Sequence, residues 1–257
     1  MQKEKDSEIF NQAVFVLDLA RCPERFVMDL RNPDRSVDEK YFKNIEMPLS
    51  PARVLRRWGS TFRVLSEGDG KKVLEHWSKK ERCLLTGHNF WSDYAVEVKM
   101  RKLMSSIFPD FDDECCKVSR CGIVFRQETV RRYYFYCIED FDKIILYRRE
   151  DDVWTPLDVE HFAFDKNRYY WLKVECLGER IRCYLDGSKI FEVTDGTFKM
   201  EKVGIRMNTV TRIYDWKVYM SKRSFEKFER TLKRYEAEVA DLSSRYPKPI
   251  LWNILDG

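Results

Sequence analysis

The stretch YWLKVECLGERIRCYLDG, residues 170–187, decides the fold. Apolar and polar residues alternate on either side of Gly178-Glu179. A two-residue turn there pairs Cys176 with Ile181 and Val174 with Cys183. Those four apolar side chains share one face. The same register sets Glu175 against Arg182 and Lys173 against Tyr184 on the other. A hairpin with one dry and one wet face belongs to an antiparallel sheet covered on one side. The two cysteines fall on the dry face as small buried hydrophobes.

Outward from this hairpin, short alternating runs broken by turn residues recur along the chain. They read as strands at 13–19, 25–30, 94–103, 121–127, 132–138, 143–149, 189–194, 202–208 and 212–220. No 12-residue helical pattern interrupts them, which points to an all-β sandwich or barrel. Residues 1–12 read as a charged tail and 104–117 as a long loop. The sandwich is expected over 13–220. From Ser221 to Arg245 the pattern changes: Phe225, Phe228, Leu232, Tyr235, Val239 and Leu242 are spaced by three and four, which predicts one amphipathic helix. Ser221 or Ser224 caps it. Its stripe has three possible partners, the sandwich itself, a following domain or a second copy, and docking on the sandwich is the simplest. Tyr246-Pro247-Lys248-Pro249 ends the helix, and 246–257 reads as a linker or the start of another domain.

A second hairpin, RYYFYCIEDFDKIILYRR (132–149), carries the candidate site. With a loop from Glu139 to Asp142, Ile138 stands opposite Lys143. Phe135, Cys137, Ile144 and Leu146 then form a core face, and Tyr134, Tyr136, Ile145, Tyr147, Lys143 and Arg149 an open one. Aromatic rings stack on the C–H faces of sugars, and arginine binds carboxylates. The open face therefore reads as a glycan platform. The alternative is that these tyrosines pack under a loop or against the other sheet, with their hydroxyls satisfied at the rim.

Composition narrows the classes. The chain of 257 residues is 44% hydrophobic and 14% aromatic, which supports a core and excludes disorder. A net charge of +4 with interspersed signs is not a nucleic-acid footprint. No apolar run is long enough for a membrane helix. No signal-peptide pattern opens the sequence, which suggests the cytosol, or export if the chain is trimmed. The eight cysteines include no CxxC pair and are expected as free thiols. GxSxG, HExxH, GxxxxGK[ST] and GxGxxG are absent, and His76, His88 and His161 stand in separate segments. The one E-x-D-x-E, at Glu4, Asp6 and Glu8, lies in the polar tail, away from any strand that could present a carboxylate pair. No cofactor is implied. A structural calcium ion at the rim would call on Asp215 or on Asp110, Asp112 and Asp113.

From about residue 58 to 220 the chain resembles concanavalin-A-like jelly-roll modules related to laminin-G-like domains and to the 3-keto-disaccharide hydrolases. The phrases that carry this are CGIVFR (121–126), YYFYCIEDFDKIILYRREDDVWTPL (133–157), YYWLKVECLGERIRCYLDGSKIFEVTDGTF (169–198) and KVGIRMNTVTRIYDWKVY (202–219). The resemblance implies a sandwich of two antiparallel sheets, but this fold hosts lectins, enzymes and spacers. The tail SSRYPKPILWNILDG (243–257) resembles the junction before the propeller of rhamnogalacturonan-lyase-like proteins. That implies an accessory module beside a catalytic propeller acting on an acidic plant polysaccharide such as pectin. Three functions follow as expectations. One is a glycan-binding module using Tyr134, Tyr136, Tyr147 and Arg149, with Arg126 as neighbour. The second is a glycoside hydrolase or polysaccharide lyase working in the groove, and the third a structural or interaction domain.

Overall fold

Alternation and turn chemistry produce the strands in space. The computed structural model describes residues 10–20, 22, 62–77, 81–104 and 118–245. In chain order these hold β1 (Gln12–Val16), β2 (Phe62–Ser66), β3 (Lys72–His76), β4 (Arg82–Thr86), β5 (Tyr94–Lys102), β6 (Arg120–Thr129) and β7 (Arg132–Glu139). They continue through β8 (Lys143–Glu150), β9 (Val153–His161), β10 (Tyr170–Leu177), β11 (Arg180–Leu185), β12 (Ser188–Thr194), β13 (Lys202–Met207), β14 (Thr211–Met220) and α1 (Lys222–Arg245). The expected strand at 25–30 and nearly all of the loop at 104–117 lie outside the described residues.

The strands form two antiparallel sheets. One has the order β12-β11-β10-β5-β14-β3-β2, with β1 also pairing β14; the other runs β4-β13-β6-β7-β8-β9. Their facing sides close one core around Trp216, Tyr94, Phe125, Phe198 and Leu74, all with essentially no exposure. The protein is thus an all-β jelly-roll sandwich with one helix near its C-terminus. Burying a residue of Trp216's size contributes most of the roughly 3–5 kcal/mol that truncating such a side chain to alanine removes.

The first hairpin has the register read from the sequence: Val174 faces Cys183, Cys176 faces Ile181, Glu175 faces Arg182 and Lys173 faces Tyr184. Cys176 and Cys183 are buried and free. The second hairpin corrects the sequence reading. Glu139, not Ile138, pairs with Lys143, so Ile138 faces Ile144, Cys137 faces Ile145, Tyr136 faces Leu146 and Phe135 faces Tyr147. Because side chains alternate, a shift of one residue transfers a whole set to the other face. The turn is pinned from outside the hairpin. The Asp140 amide donates to the Ser119 carbonyl at 2.8 Å, and its Oδ1 accepts from Ser119 Oγ at 2.9 Å. Lys102 Nζ also reaches the Asp140 carbonyl. Asp140 takes φ +46°, the left-handed conformation that aspartate tolerates better than most residues.

Three strands at the margin, β2, β3 and β4, were not read from the sequence, and neither was β9. The last contains Pro156, which argues against a central strand. It is accommodated because β9 is an edge strand. Ser221 is the helix cap, its Oγ accepting the Ser224 amide at 3.1 Å. Phe225 and Phe228 pack on the core, and the Phe228 ring lies 6.2 Å from that of Trp91. The stripe therefore docks first on its own sandwich, while Tyr235 and Val239 farther along stay 49% and 41% exposed.

Candidate functional site

The one-residue register change redistributes the expected site. Tyr134 and Tyr136 point into the sandwich, against the second sheet, and both are completely buried. Tyr134 donates to Asp195 Oδ1 at 2.6 Å and accepts the Phe198 amide at 3.2 Å. Tyr136 lies edge-on to Phe191, with ring centroids 6.0 Å apart. Its hydroxyl has no partner among the described residues, and burial raises its pKa well above the ordinary tyrosine range. Both tyrosines pack against the other sheet, but only the Tyr134 hydroxyl is satisfied there.

Arg126 is interior as well. It sits at a bulge of β6 with φ +48° and no exposure. Its guanidinium donates to the carbonyls of Phe198 at 3.1 Å, Ser92 at 3.3 Å and Gly178. It ties three segments together from inside the fold. Asp215, the candidate calcium ligand, accepts from Lys217 Nζ at 2.7 Å. Among the described residues no group of three or more His, Cys, Asp or Glu is placed to hold a metal ion.

Tyr147 and Arg149 do lie on the outer face of the six-stranded sheet. There the register brings them beside Tyr133 and Trp154, and also beside Phe135 and Cys137, which the sequence reading places on the core face and the structure turns outward, leaving Ile144 and Leu146 in the core. Phe135, Tyr133, Val124, Cys137, Ile145 and Tyr147 make a second apolar cluster outside the sandwich, with Trp154 of β9 packed over it. The Trp154 ring stands edge-on to Tyr147 at 5.4 Å and to Tyr133 at 6.0 Å. Three guanidiniums border this aromatic patch. Arg149 lies 4.9 Å from the Trp154 centroid, Arg120 lies 5.1 Å from it, and Arg206 lies 4.8 Å from that of Tyr133.

The three arginines are not equivalent. Arg120 is held by Glu139 at 2.6 Å and Arg206 by Glu81. Arg149 instead donates to the Tyr133 hydroxyl at 2.9 Å and to the Asp151 carbonyl at 2.9 Å. It has no carboxylate partner among the described residues. Glu139 also binds Lys143 at 3.0 Å and accepts the Tyr147 hydroxyl at 2.9 Å. Burial alone would raise the Glu139 pKa, but Arg120, Lys143 and Tyr147 outweigh it, and the carboxyl is held below the usual carboxylate range. Between Trp154, Phe135, Arg120, Arg206, Glu81 and Asn208 lies a solvent-open depression of about 250 Å³. Its closed part has room for about one water at most. The face is thus shallow, with a small notch.

A signal for Trp154 was present in the sequence. Asp151-Asp152 is a two-residue turn signal, with Asp151 at φ +55°. Reading it would have continued the hairpin into β9 and set Trp154 opposite Arg149, as the structure does. The mates Arg120 and Arg206 come from β6 and β13, and only the sheet order brings them there.

No family model matches the sequence, and no curated protein matches it. Solved structures share its backbone course in part. It is similar to the carbohydrate-binding module CBM66 of Bacillus subtilis, with TM-score 0.48 and 16% identity over 62% of this chain and 91% of that one. It is similar to a Bacillus subtilis protein of unknown function with a galectin-like fold, with TM-score 0.44 and 11% identity over 82% and 97%. A third likeness is to domain 4 of an extracellular arabinanase of Geobacillus stearothermophilus in complex with arabinotriose, with TM-score 0.45 and 10% identity over 63% and 77%.

Proposed function

We propose that the chain is a saccharide-binding sandwich module that lays an acidic glycan across the outer face of its six-stranded sheet. The observation that carries this is Arg149, a guanidinium against Trp154 with no carboxylate partner among the described residues. A sugar ring stacks its C–H face on the indole. A uronate carboxylate on that ring or the next replaces water at Arg149, forming a charge-assisted and geometrically specific pair. Arg120 and Arg206, each already neutralised, offer remaining N–H groups to hydroxyls. Pectic chains, homogalacturonan or rhamnogalacturonan, are glycans of this chemistry. The resemblance at 243–257 supports an accessory role beside a catalytic propeller.

A hydrolase in the same notch would need a carboxyl kept protonated near neutral pH. Glu81, the carboxylate that lines it, is taken up by Arg206, and Glu139 beneath Arg120 is held below the usual carboxylate range by Arg120, Lys143 and the Tyr147 hydroxyl. The geometry therefore favours binding.

The test is affinity gel electrophoresis of the full chain in polygalacturonate and in its carboxyl-reduced, neutral derivative. Retardation is expected in the acidic polymer and should weaken with added salt. Trp154→Ala should weaken it in both polymers, and Arg149→Gln in the acidic one. Binding that is unchanged in both variants would remove this face as the site.

A further inference from the structure

We propose a second saccharide site on the opposite outer face, that of the eight-stranded sheet, centred on Trp171, Tyr214 and Lys99. The registers place these residues side by side on three adjacent strands. Trp171 of β10 pairs with Lys99 of β5, and Lys99 pairs with Asp215, next to Tyr214, at a bulge of β14. The outermost strands of this trio are two spacings apart, about 10 Å, which is the reach of two consecutive sugar rings. Lys99 Nζ lies 4.4 Å from the Tyr214 centroid and 5.7 Å from that of Trp171.

Charge pairing on this face singles out the same place. Glu75 bridges Arg63 and Arg212, and Glu67 bridges Arg212 and Arg101. Lys173 pairs with Glu97 and Glu175, and Lys217 with Asp215. Among the described residues of the face, Lys99 and Lys71 make no salt bridge. Both instead rest on Tyr214, Lys71 at 4.1 Å. The Tyr214 hydroxyl is turned aside to Asp69 at 2.7 Å, which fixes the ring.

Lysine stems lying on a tyrosine are ordinary. They do not account for a half-buried tryptophan on the wet side of a sheet that, among the described residues, meets lysines and no other ring. The chemistry fits a uronate-type glycan: one ring stacks on Trp171, the next reaches Tyr214, and the carboxylates meet Lys99 and Lys71 as point charges. This site does not depend on the one at Trp154. With both, a single copy of the chain bridges two polysaccharide segments from opposite faces.

The experiment uses the full chain with oligogalacturonate for calorimetric stoichiometry and with polygalacturonate for turbidity. The wild type is expected to bind two oligomers and to cross-link the polymer. Trp171→Ala and, separately, Tyr214→Ala should each weaken one site by about tenfold, the scale of a lost aromatic contact, and abolish cross-linking. Circular dichroism confirms that each variant is folded. Two sites of unchanged affinity in both variants, or no binding of the oligomer at all, overturns the proposal. If Trp154→Ala leaves all binding intact while Trp171→Ala removes it, the second site stands and the assignment to the six-stranded sheet falls.

Discussion

Tyr134 and Tyr136 stand two residues apart on one strand and are both buried, yet their hydroxyls have opposite fates. That makes Tyr136→Phe a direct test of the register of the second hairpin. The Tyr136 hydroxyl is enclosed without a hydrogen-bond partner among the described residues. Leaving such a group buried costs on the order of 1–3 kcal/mol, so deleting it while keeping the ring should stabilise the protein by about 1 kcal/mol. For a domain of this size that is a rise in Tm of about 2–4 °C. Tyr134→Phe should do the reverse. It removes a 2.6 Å bond to a carboxylate and leaves the Phe198 amide without its acceptor. The loss is about 1.5–3 kcal/mol, the range for hydrogen bonds to charged groups. Urea unfolding of the two variants at unchanged m-value reads the difference as a shift in midpoint. If Tyr136→Phe destabilises as much as Tyr134→Phe, the hydroxyl has a partner and the register argument fails. If Tyr136→Phe instead weakens glycan retardation without changing stability, Tyr136 belongs to the platform after all.

Other consequences are as direct. Burial, the largest influence on His76, lowers its pKa from 6.5 to about 4 although the Thr209 carbonyl opposes this. Between those values the unfolded chain binds the proton and the native one does not, so stability should be full above pH 6.5 and fall as pH drops toward 4, by up to about 3 kcal/mol; a urea midpoint that is flat from pH 7 to 4.5 refutes this, and His76→Gln should flatten the wild-type slope. Gly204 lies where a Cβ would come 1.9 Å from the Leu84 carbonyl oxygen of the paired strand. Gly204→Ala must therefore push β4 from β13 and should cost about 3 kcal/mol or more; a variant melting within 2–3 °C of wild type contradicts that approach. Of the eight cysteines, six are buried and free, so Ellman's reagent should find at most 8 − 6 = 2 reactive thiols in the native protein. Burial pushes the Cys83 thiol up to about 12 and those of Cys22, Cys121 and Cys176 up to about 11. Three or more fast-reacting thiols would show that one of these positions is open.

Local patterns determined much of this protein from the sequence alone. Period-two alternation around Gly178-Glu179 yielded a hairpin register that the structure repeats pair for pair, because a two-residue turn leaves no freedom of pairing. Three-and-four spacing after Ser221 yielded the helix and narrowed its cap to Ser221 or Ser224, of which the structure uses Ser221, since both depend on neighbours within one turn. What only the tertiary structure decided is everything tied across the fold. The longer loop at 140–142 permits more than one register, and the choice is made by Ser119, just before β6, and Lys102, at the end of β5. That choice moved Tyr134 and Tyr136 inside and brought Tyr133 out beside Tyr147 and Arg149. A Phe-Arg phrase likewise cannot show that its arginine is folded inward at a bulge, as Arg126 is, because its carbonyl partners lie 34 to 72 residues away. The aromatic and cationic groupings on both outer faces arise from strand order, which joins β6, β8, β9 and β13 on one side and β5, β10 and β14 on the other. Side-chain alternation says which residues share a face of one strand; only long-range pairing says which strands share a sheet.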